Sequence, residues 1–361
     1  MGAGVDPWSG FEGHERVIVA RDEDTGIGMV IALHSTVLGP ALGGTRMNAY
    51  AGASDPHAAA YADALHLSRA MTFKNSLAGL PHGGGKAVIV ADPRERTTEL
   101  LHAYGRLVST LEGAYLTAGD VGISVADLDV ISQTCPWTTG RSPEHGGLGD
   151  SAILTAVGVL AGLRASLEFA LGRTGVDGTS VAIVGLGKVG GRIAAHLAAE
   201  GARVIGYDPD PQACERARDQ APGMTVAGSL AEVLDADVDV LSPNALGGLL
   251  TPELARTTSA RVVCGAANNQ LAEPSVAGLL AERGVTYAPD FMVNCGGVIQ
   301  ISAEHAGGTM ETARAQAEAV ALTTRQVLER AQSLGVTPVT AAEQQALERI
   351  REHRARTGQV V

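Results

Sequence analysis

Of the 27 lysine and arginine residues in this chain, only Lys74, Lys86 and Lys188 are lysine. Arginine keeps its proton at any working pH, whereas a desolvated lysine can lose it near neutrality and act as a base. A general depletion of lysine would leave the same three behind, so their surroundings must decide. Lys74 and Lys86 lie in one stretch, and Lys86 closes the run Gly83-Gly84-Gly85. The segment Leu80-Pro81-His82-Gly83-Gly84-Gly85-Lys86-Ala87 fails as a phosphate-binding P-loop. Leu80 stands where the first glycine is required, and Ala87 replaces the Ser/Thr that would hold magnesium. A glycine run before a lysine can instead bring backbone close to a small ligand and leave the amine facing it. Asp120, in a Gly-Asp-Val-Gly loop after a strand, adds an acid. Such a set could fix a carboxylate, activate water and shuttle protons.

The third lysine sits in Gly185-Leu186-Gly187-Lys188-Val189-Gly190-Gly191. A lone G-x-G-x-x-G means little in a chain with 46 glycines, but here its context fits. A strand runs in, a helix at Arg192–Glu200 runs out, and a second strand ends at Asp208. The glycines permit a tight turn and let a pyrophosphate approach the helix N-terminus, while Asp208 stands where an acid would hold ribose hydroxyls. Asp208 would repel a 2′-phosphate and Pro209-Asp210 add no basic group, so NAD is the expected cofactor. Lys188 reads as a solvent-facing loop residue.

These groups need elements to position them. Glu15–Asp22 and Gly28–Ser35 read as strands of a hairpin, Ala58–Met71 as a helix leading into Lys74, and Ala87–Ala91 as a strand after the glycine run. Thr97–Leu111 reads as a helix and Ala114–Thr117 as a strand. After the Gly/Pro-rich stretch Arg141–Gly147, a helix from about Ser151 to Leu171 precedes a regular alternation. Its strands are Ser180–Val184, Arg203–Tyr207, Val238–Leu241, Arg261–Cys264 and Val285–Ala288, the pattern of a doubly wound parallel sheet. The tail from about Thr312 to Arg356 reads as helical. The expected class is α/β: a mixed α/β substrate and oligomerisation domain over 1–145, a Rossmann-type doubly wound NAD-binding domain over 146–325 with a cleft between the two, and a helical segment over 326–361 packing back on the first.

At 361 residues, 45% hydrophobic and 18% charged, the chain has the composition of a globular protein with room for two domains. A net charge of −12 argues against nucleic acid as a partner. No membrane is expected, because no run approaches 18 uninterrupted apolar residues, and Met1–Gly10 lacks the features of a leader. Asp6 does not fit a myristoylation signal. Cys135, Cys214, Cys264 and Cys295 form no Cys-x-x-Cys pair and fit neither a zinc site nor a disulfide framework, so no metal and reduced cytoplasmic thiols are expected.

Several further motifs join the two lysines: Gly39-Pro40-Ala41-Leu42-Gly43-Gly44-Thr45-Arg46, the Asp120 loop, Gly265-Ala266-Ala267-Asn268-Asn269 and Tyr287-Ala288-Pro289-Asp290. Together, and in this order over roughly residues 12–345, they resemble the glutamate/leucine/phenylalanine/valine dehydrogenases. The resemblance implies reversible oxidative deamination, in which an L-amino acid, water and NAD⁺ give a 2-oxo acid, ammonium and NADH. It implies that Lys74 holds the substrate carboxylate, Lys86 is the base that activates water, and Asp120 exchanges protons with the amino group. Asn268 would contact substrate and nicotinamide, and Thr155 would lie near the same end of the cofactor. Gly43 and Gly44 would leave room for the substrate backbone. Pro209 and Ala245 would join the fingerprint residues around NAD, and the enzyme would be a homo-oligomer.

For the side-chain pocket the resemblance points to Leu42, Ala118, Val298 and Ile301. Glutamate-specific members carry a lysine where Leu42 stands, and an unpaired buried carboxylate is costly, so glutamate is disfavoured. Leucine-specific members tend to carry valine at the position of Ile301. One extra methylene shortens the pocket toward valine or isoleucine, with only about 1–3 kcal/mol of discrimination. Two departures stand out: Asn294-Cys295-Gly296-Gly297 in place of Asn-Ala-Gly-Gly, and Asn244 where cysteine is expected after Pro243. The competing readings are the same reaction on leucine, phenylalanine or tryptophan, a 2-hydroxy-acid dehydrogenase, and a non-catalytic amino-acid or NAD sensor.

Overall fold

The computed structural model describes residues 13–358, so the Met1–Gly10 stretch read for a leader and Asp6 lie outside it. The chain divides into two compact units. The first takes the chain up to Asp150, Gln300–Met310 and the tail from Ala346; the second takes Ser151–Ile299 and Glu311–Gln345.

The first unit is built on strands β1 (Arg16–Arg21), β2 (Gly28–Ser35), β3 (Ala41–Met47), β4 (Gly83–Ile89) and β5 (Tyr115–Gly119), in the order β1-β2-β4-β3-β5. β1 and β2 are an antiparallel hairpin whose turn is held by Asp22 Oδ2 accepting from the Thr25 N–H and hydroxyl. β3 runs parallel to both β4 and β5. Helices α1 (Pro56–Leu77), α2 (Thr98–Ser109) and α3 (Val125–Ser132) cover the sheet. Side chains alternate across a strand, and both faces are apolar. Val30, Ala32 and Val88 pack with Ala60, Ala64 and Leu65 of α1. Met29, Ile31, Ala87 and Ile89 pack with Leu100, Tyr104, Leu128 and Ile131 of α2 and α3.

The sequence reading placed a strand at Ala87–Ala91 after the glycine run; the structure puts the glycines and Lys86 inside β4 itself. Their purpose is close packing. A Cβ on Gly84 would stand 2.1 Å from the Thr72 backbone nitrogen and 2.6 Å from the Ser68 carbonyl oxygen, both on α1. β3 was read only as a motif, because Ala-Leu-Gly-Gly-Thr-Arg-Met lacks the β-branched density of a typical strand.

The second unit carries six parallel strands: β6 (Ser180–Val184), β7 (Arg203–Tyr207), β8 (Thr225–Val226), β9 (Val240–Pro243), β10 (Val262–Val263) and β11 (Thr286–Tyr287). Their order, β11-β10-β9-β6-β7-β8, is that of a Rossmann sheet. Its helices are α4 (Ala152–Leu171), α5 (Lys188–Ala199), α6 (Pro211–Gln220), α7 (Leu230–Leu234), α8 (Pro252–Thr257), α9 (Val276–Glu282), α10 (Asp290–Val293), the start of α11 (Gly296–His305), α12 (Met310–Glu318) and α13 (Val320–Leu334). By length and composition α4 could cross a membrane, although no uninterrupted apolar run had been found. About 61% of its apolar stretch is buried by the rest of the chain, the signature of a core helix.

The domain limits 1–145, 146–325 and 326–361 need correction. The first unit ends at Asp150, and Gln300–Met310 returns to it from within the expected NAD-binding domain. The continuous helical tail is three helices, ending in α14 (Pro338–Thr357), of which only the part from Ala346 belongs to the first unit. There the Arg349 guanidinium donates to the Ser76 and Leu80 carbonyls, and Ser76 Oγ donates to the Ala346 carbonyl, so the tail caps the last turn of α1.

Replacing Gly84 with alanine should therefore force α1 off β4 and destabilise the fold by about 1–3 kcal/mol or more. Gly52→Ala, with nothing within 4 Å of the added methyl, should stay close to the parent. Urea denaturation of both variants measures the contrast; equal midpoints would refute the packing account.

Candidate active site

Strand register brings the charged residues together. β3 pairs with β4 as Leu42↔Gly84 and Arg46↔Val88, and with β5 as Gly44↔Ala118 and Thr45↔Gly119. Residues two apart share a face. Leu42 and Arg46 of β3 therefore share the α1-facing side with Lys86 and with Ala118, and one step past β5 the same register sets Asp120 beside Arg46.

Lys86 is 5% exposed, and its Nζ lies 2.6 Å from Asp120 Oδ2. Arg46 Nε donates to the same oxygen at 3.1 Å, while its terminal NH1 donates to Asp63 Oδ2 on α1 at 2.8 Å. The Tyr50 hydroxyl also donates to Asp63. Burial pushes the Asp120 carboxyl upward, but the Lys86 and Arg46 charges outweigh it and hold Asp120 below the usual carboxylate value. Burial of Arg46 likewise opposes its charge and is overcome by Asp120 and Asp63. Burial and Asp63 push the Tyr50 hydroxyl well up, so it remains a donor. At 2.6 Å a proton can pass directly between Lys86 and Asp120.

Lys74 lies half-buried in the last turn of α1. Next to it, the Asn75 amide donates to the Leu42 carbonyl at 3.1 Å and the Gly83 carbonyl at 2.6 Å, fixing this end of the helix to β3 and β4. Leu42 and Ala118 are buried in the sheet. Gly43 and Gly44 do not leave open space on their Cβ sides: the Gly85 carbonyl occupies one, and the Gly119 carbonyl with Asp120 Cβ the other. Their lack of side chains serves strand packing and the seating of Asp120. Ile301 is buried in the first unit, where Gly140 comes near its Cγ2.

In the second unit the fingerprint forms the β6–α5 turn. α5 begins at Lys188, earlier than the expected Arg192, so Lys188 is an exposed helix residue rather than a loop residue, with Val189, Gly190 and Gly191 in the first turn. Gly185 has φ +94, and a Cβ there would strike the Ala245 nitrogen at 2.7 Å. On Gly190 it would strike the Gly185 carbonyl at 1.9 Å. The loops after β6 and β9 thus meet where the strand order reverses, the place where such sheets bind ligands. Gly187 is the N-cap and supplies no side-chain cap to the first N–H groups of α5, which suits a pyrophosphate. Asp208 Oδ2 accepts the Leu186 N–H at 2.8 Å, tying the acid to the loop; Pro209 follows it, exposed. These residues fit NAD.

Elsewhere in the second unit, Thr155 Oγ1 lies 3.1 Å from where a Gly297 Cβ would stand, and Val298 follows, half-buried on α11. Asn294 Nδ2 donates to Asn268 Oδ1 at 2.8 Å. Asn244, the unexpected residue after Pro243, accepts the Ala266 N–H and donates to Ser242. Cys295 is buried, as are the other three free cysteines.

Residues 14–137 match the Glu/Leu/Phe/Val dehydrogenase dimerisation domain, and residues 212–358 match the Glutamate/Leucine/Phenylalanine/Valine dehydrogenase domain. The chain belongs to the glutamate/leucine/phenylalanine/valine dehydrogenase family. Residues 165–247 also match the NAD binding domain of D-isomer specific 2-hydroxyacid dehydrogenases, which places the shared feature in the cofactor domain. Valine dehydrogenase of Streptomyces albus is 48% identical over 346 residues, covering 95% of this chain and 94% of that protein. Leucine dehydrogenase of Bacillus subtilis is 39% identical, covering 94% and 92%. The crystal structure of L-tryptophan dehydrogenase from Nostoc punctiforme superposes with a TM-score of 0.82 at 36% identity, covering 95% of this chain and 97% of that one.

In this member of the glutamate/leucine/phenylalanine/valine dehydrogenase family, sequence reasoning assigned no role to Arg46, Asp63, Tyr50 or Asn75. The available signal was an arginine at alternate spacing from Gly44 on one strand. The returning segment of α11 was missed too. Glu304 is buried and accepts from the Gly140 and Arg141 N–H groups, Arg141 Nε and the Leu148 N–H. His82 Nε2 pairs with Ser302 Oγ at 3.0 Å, and burial, then His305, pulls the His82 imidazole down to about 4.

His82 is thus held neutral in the fold and charges readily once unfolded near its ordinary 6.5. Its contribution, up to roughly 3 kcal/mol, is present above pH 6.5 and is lost as pH falls toward 4. Unfolding free energy should decline over that interval, with a shallower decline in His82→Asn. Parallel slopes for the two proteins would contradict the assignment.

Proposed function

We propose that this chain catalyses the reversible NAD-dependent oxidative deamination of a branched-chain L-amino acid, valine foremost, with isoleucine, leucine and 2-aminobutyrate as further substrates. The observation that carries the reading is the contact of buried Lys86 with half-buried Asp120 on the α1-covered face of the first sheet. Bound at the second unit, NAD⁺ supplies the hydride acceptor. Lys74 holds the substrate carboxylate. Asp120, kept anionic by two cations, takes a proton from the substrate ammonium group and later returns one to the departing nitrogen. Lys86 removes a proton from the water that adds to the imine carbon and steadies the oxygen charge that develops.

Leu42 offers no cation to a second carboxylate, which disfavours glutamate. Ile301 favours short branched side chains over longer ones. Asp208 favours NAD over NADP by repelling a 2′-phosphate. A 2-hydroxy-acid dehydrogenase calls for a histidine–acid pair with an arginine, and two lysines with an aspartate suit amine chemistry better. A sensor would need the binding groups alone, so Lys86 and Asp120 favour an enzyme. The four free thiols suit a reducing compartment such as the cytoplasm.

Initial rates of NADH formation with valine, isoleucine, leucine, 2-aminobutyrate, phenylalanine, tryptophan and glutamate, with NADP⁺ in parallel, test this reading. Valine or its near neighbours with NAD⁺ should lead. Lys86→Ala should lower kcat by about 10²–10⁴-fold while NAD⁺ binding persists. Preference for an aromatic substrate would sink the pocket assignment, and full turnover by Lys86→Ala would sink the mechanism.

We further propose a homo-oligomer. Support comes from the match of residues 14–137 to a dimerisation domain and from the exposed edge strand β1 with Val19 open to solvent. Light scattering on eluting protein should give a mass at least twice 36.9 kDa; a monomer across micromolar concentrations would refute it.

A further inference from the structure

Asp120 shares one oxygen between two cations of different kinds. Lys86 Nζ and Arg46 Nε both reach Oδ2, at 2.6 and 3.1 Å. The amine can release a proton during turnover; the guanidinium cannot. Arg46 has a second anchor, with NH1 on Asp63 Oδ2 at 2.8 Å, and Tyr50 donates its hydroxyl to that same oxygen. Asp63 is fixed by α1, and Tyr50 stands in the left-handed region at φ 50, a conformation costly for a tyrosine.

We propose that Arg46, braced by Asp63 and Tyr50, is a positioning residue for the catalytic pair. It keeps Asp120 anionic and in place whenever Lys86 is in its neutral form. This rests on the roles given to Lys86 and Asp120 above. The charged groups that meet Asp120 are Lys86 from β4 and Arg46 from β3, and Arg46 in turn faces Asp63 from α1 and Tyr50 from the β3–α1 connection. While Lys86 is protonated, Arg46, Lys86, Asp63 and Asp120 balance in charge; once Lys86 is neutral, Arg46 is the cation left in contact with Asp120. The brace also stops the guanidinium from swinging toward the substrate carboxylate, leaving that anion to Lys74. A lysine at 46 could not replace it, because one ammonium cannot take the place of a planar fork that reaches both carboxylates.

The test is the pH dependence of kcat/KM for valine with NAD⁺ in Arg46→Gln, Arg46→Lys and Asp63→Asn, with Lys86→Ala alongside. Removing a cation within contact distance moves neighbouring titrations upward by about one unit, and removing an anion moves them downward. The acid limb, whichever of Lys86 and Asp120 it reports, should rise in Arg46→Gln and fall in Asp63→Asn. In Arg46→Gln kcat should drop at least about tenfold while KM for valine stays within about threefold. Arg46→Lys should keep the limb near the parent position, because it retains the charge, and still lose kcat. A role confined to packing would lower activity in both neutral variants without opposite movements of the limb, and that result overturns the proposal. If Arg46→Gln fails to fold, Asp63→Asn decides: a lowered limb with reduced kcat supports it, and a parent-like profile overturns it. Full activity in Lys86→Ala would instead remove the reading on which the proposal rests.

Discussion

The closeness of α1 to β4 is the constraint on which the first unit depends. Gly84 has no side chain, so the helix backbone lies against the strand at a distance no Cβ would tolerate. That contact sets where Lys74 and Asp63 stand over the sheet. It also buries Lys86, which shares a face with Gly84 and must lie under the helix. Asn75 and Arg349 fix the far end of the helix by donating to backbone carbonyls of β3, β4 and the helix's own last turn. A purely apolar core would hold the sheet equally well but would not fix the depth of one amine beneath one helix.

Burying Lys86, and Asp120 in part, is tolerable because their charges are balanced locally. A buried ion loses hydration, and its partner restores that loss only when geometry is close and the remaining valences are filled. Here one oxygen of Asp120 meets both cations, and Arg46 continues to Asp63 and Tyr50. On the opposite face Thr45, Tyr104 and Thr117 satisfy one another through their hydroxyls. These polar groups of the central strands are therefore paired on both faces, and the Lys86 and Arg46 cations are confined to one.

The cofactor half follows from different physics. Its requirements are local: a glycine with positive φ, a helix that opens without a side-chain cap, and an acid at the end of the next strand. Each lies within a short stretch of chain, so the fingerprint and Asp208 were legible, as were β6 and β7 to the residue. The later strands β10 and β11 are only two residues long, and their limits were overdrawn. Asn244 and Ala245 sit against the glycine turn because β9 neighbours β6, an adjacency that belongs to the sheet and not to the chain order.

In the first unit the sequence by itself determined which groups could do chemistry. Lysines were scarce enough to single out Lys74 and Lys86, Asp120 stood in a loop after a strand, and the surrounding motifs carried the family resemblance. Valine and isoleucine content around a turn also marked the hairpin, and helical spacing marked the body of α1, although α1 runs past Met71 to Leu77 and so carries Lys74 itself. It did not determine that the glycine run is strand, because glycine carries no periodic signal and its reason for being there is a helix from another part of the chain. Nor did it determine that Arg46 stands beside Asp120, or that Gln300–Met310 and the end of α14 rejoin the first unit. Those depend on register and on contacts between residues far apart in sequence, where pairing is set by what fits across the sheet. Residue types are written locally, but distances between them exist only once the sheet has formed.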